Sequence, residues 1–524
     1  MKELITSTWL KNRGYLHLSK QVNIKLSPRA LQTKIQNKQF VAKYAFHPLI
    51  HSIIKERRYK RIDSTGQKRA HSYIKENVVV KQIKSRPLHY ATHLDAIIFG
   101  YYADLLQKEY EQLLNEHTGL SECITAYRRI KDPETQRSKS TINFACEAFQ
   151  EIKRRSLDGC VVLKLDIKNF FSNIDHNLLK KLWAGLLKQE KLPDDHFNVF
   201  KAATRFSYIL LDDLRLQKKV NGKRAGFDEK RLAQIRKKGV QAFFETSREL
   251  RDGIREKKFK VYKFPFRNEK KESVGIPQGL PISAVLANLY LLNFDIQILD
   301  KVVNEMGGFY RRYSDDIIII CRPGALPQME QFIKEKIKES CLTISDEKTE
   351  RFLFKKMLAA NQELKTTSIK LSESASHIGY PFTYLGFEFY GEKILIKSAN
   401  LAKFYRRMIY AVKSKAKKAV AIAANNPGTP VTIFKRQLYK LYTIQSLNAS
   451  KIYKTHKKLI PNQLGEFVFE ISTKPPKHKS NYLSYVNRAS DIMKEPAIRI
   501  QIAKHRSIFN QAVTKYLKKY ATAK

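Results

Sequence analysis

The stretch Phe309-Tyr310-Arg311-Arg312-Tyr313-Ser314-Asp315-Asp316-Ile317-Ile318-Ile319-Ile320-Cys321 sets two adjacent carboxylates between two short apolar runs. Gly307-Gly308 precede it and Pro323-Gly324 follow it, so breakers bound the segment. It predicts a tight β-hairpin with Tyr313 to Asp316 at its tip. Adjacent acids at such a tip repel each other, and a fold keeps them there most readily where a cation compensates. A divalent-metal site is the sharp reading; a solvated Ser-Asp-Asp turn is the plain one. The rest of the chain decides between them.

Composition points to the partner. The 524 residues are 43% hydrophobic, enough for a large core in about two to four domains or lobes. Lys and Arg number 98 against 49 acids, a formal net charge of +49. That excess far exceeds what solubility requires and predicts a polyanionic partner. No apolar run approaches the roughly 20 residues of a membrane span, and Met1 to Lys20 lacks the apolar core of a signal peptide. Nucleic acid is therefore favoured over an anionic membrane, in a cytoplasmic protein. Cys123, Cys146, Cys160, Cys321 and Cys341 are odd in number and scattered without a CxxC pair, which predicts reduced, mostly buried thiols and neither disulfides nor zinc.

A third acid lies upstream. Val161 to Ile167 reads as a buried strand broken by Asp166, followed by Lys168-Asn169-Phe170-Phe171-Ser172-Asn173-Ile174-Asp175-His176. An ionised carboxylate on such a strand needs a partner. Beside the hairpin, Asp166 would face Asp315 and could share two Mg²⁺ ions about 3.5–4 Å apart, the geometry of in-line phosphoryl transfer. Asp175, ahead of Leu178, Leu179 and Leu182, reads instead as the N-cap of the next helix. Between the acid sites, Gly275-Ile276-Pro277-Gln278-Gly279-Leu280-Pro281-Ile282-Ser283 forms a stiff loop leading into an apolar helix, Ala284 to Leu299. Its glycines allow backbone to approach a ligand closely, and Gln278 can donate to and accept from a base or sugar.

Taken in order, these segments resemble the palm of reverse transcriptases. Asp166 to Phe171 stands where that family has motif A, Gly275 to Ser283 motif B, and Tyr313 to Asp316 motif C. Leu342 to Thr349 is similar to motif D, Tyr384-Leu385-Gly386-Phe387 to the primer grip, and Ile124 to Arg129 to the fingers segment before motif A. Residues 80 to 390 or so are covered. The resemblance implies an α+β right-hand polymerase, with fingers, an RRM-like palm of antiparallel sheet plus helices, and a basic helical thumb. It further implies RNA-directed DNA synthesis from dNTPs with two Mg²⁺ ions, Mn²⁺ being an alternative, and an RNA template, a DNA product and no membrane as partners. Homo-oligomerisation is left open.

By the same resemblance, Asp166, Asp315, Asp316 and the Ile167 carbonyl form the catalytic metal site, Asp166 and Asp315 as ligands and Asp316 supporting the same charge cluster. Phe171 matches the steric gate against a ribose 2′-hydroxyl. Gln278 would contact the incoming nucleotide or the template base, Arg128 or Arg129 would grip the triphosphate, and Lys348 would protonate the departing pyrophosphate. Tyr384, Leu385 and Gly386 form the primer grip. Asp346 replaces an Asn common in motif D, and Ser314 a residue that is often Ala, Val or Cys.

The expected organisation is an N-terminal region with fingers (1–155), a first palm segment (156–185), a basic helical insertion (186–272), a second palm segment (273–400) and a basic helical thumb (401–524). The insertion, with Leu232-Ile235 and Phe243-Phe244 as its helical apolar pairs, could clamp template, bind structured RNA or contact a subunit. Residues 401–524 carry 26 Lys and Arg against only Glu466, Glu470, Asp491 and Glu495. Leu401, Phe404, Met408 and Val412 recur there at helical spacing, which leaves Lys403, Arg406, Arg407 and Lys413 outward to follow phosphates. Tyr439, Tyr442, Tyr453, Tyr482 and Tyr485 could stack bases, though most are expected in the core. So few acids leave no ribonuclease H cluster, and no cysteine follows Cys341 to hold an endonuclease zinc. Such a chain resembles the defence-associated bacterial reverse transcriptases, related to the retron and group II intron enzymes, which implies a dedicated non-coding RNA and antiphage defence. The rival expectations are a template-independent or protein-primed nucleotidyltransferase and a maturase-like RNA-binding splicing cofactor.

Overall fold

A computed structural model describes residues 9–522 apart from 12, 25–26, 59, 62–68, 77, 217–225, 359–362, 373–375, 427, 429, 444–453 and 475–480. Its centre is a six-stranded antiparallel sheet in the order Phe309–Tyr313, Asp316–Cys321, Cys160–Asp166, Glu350–Leu358, Leu364–Leu371, Ser376–Ile378. Cys160–Asp166 lies inside this sheet, so its residues alternate between two covered faces. Leu163, Leu165, Ile317 and Ile319 enter one core, with the helices Ser283–Tyr290 and Leu292–Ile298. Val162, Ile318, Ile320 and Phe352 enter a second core. Burial on both sides explains why the segment reads as a continuous apolar run. The apolar helix expected from Ala284 to Leu299 is divided at Leu291 and passes into a π-helical turn, Leu299–Glu305.

The second core joins palm to thumb. Phe382–Tyr384 and Phe387–Phe389 form a hairpin whose turn residues, Leu385 and Gly386, both have positive φ, +43° and +94°. The first strand of that hairpin and the helix Ser398–Asn425 close over the sheet. Phe404, Met408 and Val412 are the buried stripe of that helix, as their spacing predicts. Burying each contributes about 1.5–3 kcal/mol before entropy. Tyr439, Tyr442, Tyr482 and Tyr485 also pack against this core; Tyr453 lies outside the described residues.

Two elements depart from expectation. The insertion is not purely helical. Helices Glu229–Lys237 and Ser247–Arg255 are present, but Tyr208–Leu210 and Val261–Tyr262 are strands that extend the fingers sheet Ile83–Tyr90/Leu49–Arg57. Phe243 and Phe244 sit outside either helix and fill a small core with Ile50 and Ile209. The thumb also contains a β-hairpin, Lys454–Pro461 with Phe467–Lys474, which reaches the N-terminal layer. There Gln32 donates to the Gly465 carbonyl (2.8 Å) and accepts from the Phe467 amide (3.1 Å), and the Phe467 ring meets Trp9 edge-on.

The loop Gly275 to Ser283 is pinned to the palm at its start. Gly275 donates to Ile174 and Ile276 to Phe171, and a Cβ on Gly275 would lie 2.5 Å from the Ser172 carbonyl oxygen at φ +83°. Gly239 has a similar φ of +75° but open space around it. Gly275→Ala should therefore cost about 2–3 kcal/mol and Gly239→Ala about 1 kcal/mol, measured by urea unfolding. Equal losses would show that the close approach contributes nothing.

Candidate active site

Strand register brings the acids together. Asp316 is the direct antiparallel partner of Asp166, and the Ile167 amide donates to the Asp315 carbonyl at 3.1 Å. Opposite residues on an antiparallel pair project from the same face with Cβ atoms about 4.5–5.5 Å apart. Asp315 sits in the turn itself, next to Ser314, whose φ is +61°. On the other side of the central strand, Lys168 donates to Thr343 and Ser345 to the Asp166 carbonyl. That pairing delivers Lys348, whose ammonium donates to Asp166 Oδ1. Among the described residues no three His, Cys, Asp or Glu side chains form a ready-made metal cage; the charge that Asp166 faces directly is the lysine.

Electrostatics mark the cluster as strained. Burial pushes the Asp315 carboxyl up, and the Asp166 charge adds to this against Lys348 and Lys84. The Asp316 carboxyl is pushed up to about 6 by burial, with Lys164 opposing and Asp315 and Asp166 reinforcing the rise. Lys164 is itself anchored to Glu350 at 3.1 Å.

A cavity of about 480 Å³ opens beside Asp315, while Asp166 and Asp316 are not among the residues that line it. Asp315, Ile167, Phe171, Gln278 and Lys348 line it. Phe171 is held against Phe170, ring centroids 5.5 Å apart. Gln278 is fixed by its backbone, since its carbonyl accepts from the His89 amide at 2.8 Å, and Ser283 Oγ closes the loop onto the Pro277 carbonyl at 2.6 Å. Asp175 caps the helix His176–Leu186 by accepting from the Leu178 amide, 2.8 Å.

The cavity also contains residues that the motifs did not single out: Lys84, Arg86, Tyr127 and Asn169. Lys84 and Arg86 share one face of the strand Ile83–Tyr90, as an i, i+2 pair must. Burial and the nearby charges of Arg86, Lys348 and Arg58 pull the Lys84 ammonium down, with Asp166 opposing. Arg86 meets Glu56 at 2.9 Å, and Glu56 also binds Lys403 of the thumb at 2.6 Å. The Lys-x-Arg alternation was the available signal, and on its own it matches any basic surface strand.

Other expected residues fall elsewhere. Arg128 is nearly buried and taken up by Glu111, at 2.9 and 2.6 Å, and by the Ser121 and Ile124 carbonyls. Arg129 is exposed, and neither arginine lines the cavity. Tyr384 is buried behind the acids with its hydroxyl unpartnered among the described residues, and Asp316 helps burial push that hydroxyl up. Leu385 and Gly386 form the turn beside it.

Residues 233–389 match the family model described as reverse transcriptase (RNA-dependent DNA polymerase). The match holds the loop, the hairpin and the Tyr384 turn but begins after Asp166, which the sheet itself joins to them. No curated protein matches the chain in sequence. Similar solved structures include apo telomerase of Candida tropicalis truncated from its C-terminal domain, 11% identical over 61% of this chain and 54% of that one, TM-score 0.35. Apo telomerase of Candida tropicalis is 12% identical over 62% and 48%, TM-score 0.34. Telomerase of Candida albicans with a TWJ fragment of telomeric RNA is 8% identical over 92% and 63%, TM-score 0.35. The chain spans about half the length of the first two. The carboxylate hairpin, the loop before it and the turn after it all fall inside the segment that is similar to the reverse transcriptase (RNA-dependent DNA polymerase) family.

Proposed function

We propose that the chain copies RNA into DNA by two-metal phosphoryl transfer. The observation that carries this reading is the register that sets Asp166 opposite Asp316 at a cavity lined by Asp315, Phe171 and Gln278. Asp166, Asp315 and the Ile167 carbonyl would hold the cations, with Asp316 adding charge beside them. The donor set fits: all are hard oxygen donors, and their mutual repulsion is relieved by a divalent ion. Magnesium bound there supplies activation of the primer hydroxyl and neutralises charge on the triphosphate. Lys84, which lines the cavity, binds the phosphates in place of Arg128, whose guanidinium is engaged by Glu111, and Arg86 joins it on release from Glu56. Phe171 excludes a 2′-hydroxyl, Gln278 orients the base, and Lys348, on leaving Asp166, delivers a proton to pyrophosphate. Tyr384 to Gly386 steady the primer, and the basic thumb follows its backbone.

The finer reading is a cytoplasmic enzyme that copies a dedicated non-coding RNA in bacterial antiphage defence. It is supported by the resemblance to defence-associated enzymes and by the added insertion and thumb elements. Among the described residues no helix is long and apolar enough to cross a membrane. Incubation of purified protein with each dNTP separately, with and without co-purified RNA, tests the activity. RNA-dependent products supporting all four bases are expected. Homopolymer without RNA indicates template-independent or protein-primed transfer, and no product indicates a maturase-like RNA-binding role.

Three outcomes follow from the site. Asp315→Ala with Asp316→Ala should abolish synthesis, at least about a thousandfold, while salt-sensitive RNA binding in a mobility-shift assay is retained. Phe171→Val should raise ribonucleotide incorporation about tenfold or more relative to deoxynucleotides in primer extension; an unchanged ratio would assign Phe171 to the core alone. The third concerns pH. A carboxyl raised from 3.8 to about 6 stabilises the folded state below its unfolded pKa, and that contribution is lost as pH rises through about 6. Metal-free protein should thus lose up to about 3 kcal/mol from this group between pH 4 and 7. Asp316→Asn should remove that slope, and Mg²⁺ should raise the melting temperature of the native protein more at pH 7.5 than at pH 5.5.

A further inference from the structure

Directly beneath the hairpin turn lies a fully buried ion pair that the polymerase reading leaves unused. Arg312 and Asp295 are both 0% exposed. Arg312 Nε donates to Asp295 Oδ1 at 2.7 Å and Nη2 to Oδ2 at 2.5 Å, a two-point fork, and the Tyr310 hydroxyl donates to Oδ1 at 2.5 Å. The remaining nitrogen, Nη1, donates to the Ser314 carbonyl at 3.2 Å and to Asn288 Oδ1 at 3.3 Å. Asn288 Nδ2 in turn donates to the Ala126 carbonyl at 2.9 Å. The Arg312 carbonyl accepts from both the amide and the hydroxyl of Thr125, each 3.0 Å.

A buried ion pair is weak evidence for stability, because apolar residues of the same volume commonly stabilise as well or better. Its geometry here does something apolar residues cannot. Ser314 is a non-glycine residue held at φ +61°, a conformation that costs about 1–3 kcal/mol unless its surroundings enforce it. The turn is fixed at three points: Arg312 on the Ser314 carbonyl, the Ile167 amide on the Asp315 carbonyl, and the Tyr127 hydroxyl 3.1 Å from Ser314 Oγ. The first comes from a guanidinium oriented by a carboxylate on the helix Leu292–Ile298 and an amide on the helix Ser283–Tyr290.

We propose that Arg312, oriented by Asp295 and Asn288, is a positioning residue that sets the Ser314-Asp315 turn in its metal-binding conformation and ties it to the helix following the Gly275 to Ser283 loop. This rests on the reading of Asp315 as a metal ligand. A fork cannot be replaced by a point charge, so Arg312→Lys keeps the charge and loses the aim. The Arg312→Met, Asp295→Leu double variant removes both charges without leaving either buried alone, and Asn288→Ser trims one support and leaves the pair intact.

The test is primer extension as a function of Mg²⁺ and dNTP, together with the Mg²⁺-dependent rise in melting temperature without nucleotide, whose Mg²⁺ midpoint should shift with that of the rate, on protein whose folded fraction is set by thermal unfolding and RNA binding. Arg312→Lys and the double variant should raise the Mg²⁺ concentration for half-maximal rate about tenfold and lower kcat about a hundredfold, with dNTP KM within about twofold of the native value. Asn288→Ser should shift the Mg²⁺ midpoint in the same direction by about threefold. If one substitution prevents folding, the others decide. Folded variants with the native Mg²⁺ midpoint would overturn the proposal and leave Arg312 a structural residue. Native protein without Mg²⁺-dependent synthesis would instead overturn the polymerase reading on which it rests.

Discussion

One residue of strand register determines whether the cluster of three acids exists. Asp316 stands opposite Asp166 because Ile317 to Cys321 pair with Leu165 to Val161 in strict order. A one-residue slip would turn every side chain of the central strand to the other face. Both faces are buried, but they are not interchangeable. One takes Leu163 and Leu165 against the fingers-side helices, and the other takes Val162 below Lys164 and Asp166. Glu350 holds Lys164 from the neighbouring strand, so the register is specified by charge as well as by shape. Loop, cavity and primer-side hairpin are all arranged around that pairing.

The same pairing concentrates acid charge in a chain that otherwise carries twice as many cations as acids. Repulsion among Asp166, Asp315 and Asp316 is met by Lys348 and Lys164, while Lys84 and Arg86 face the cavity from the fingers. The result is a cavity in which cationic and acidic side chains face each other across a few residues. Fingers and thumb also touch across Glu56, which Arg86 and Lys403 share. A single carboxylate therefore links a cavity residue to the thumb helix Ser398–Asn425.

The sequence made the palm legible where local signals were strong. Breakers around a four-isoleucine run defined the hairpin, Asp175 ahead of three leucines defined a helix cap, and period-four apolar residues defined the thumb helix. Features set by distant partners were not legible. Arg128 or Arg129 was assigned to phosphate by position, whereas Glu111, 17 residues before Arg128 on the helix His93–Glu116, captures Arg128 at two points. The insertion's strands are only three and two residues long and form on an edge supplied by Leu49 to His51, so helical periodicity dominated its reading. The thumb hairpin docking on Trp9 and Gln32 joins opposite ends of the chain. Arg312 looked like one more cation in a basic chain, because nothing near it in sequence announces Asp295.

The most direct measurement is anomalous diffraction from crystals grown with an RNA template, a DNA primer lacking its terminal hydroxyl, a matched dNTP and Mn²⁺. The account predicts two manganese peaks about 3.5–4 Å apart, bridged by Asp166 and Asp315 with the Ile167 carbonyl beside them. Peaks away from the turn, or carboxylates of Asp166 and Asp315 more than about 10 Å apart in that complex, would contradict it.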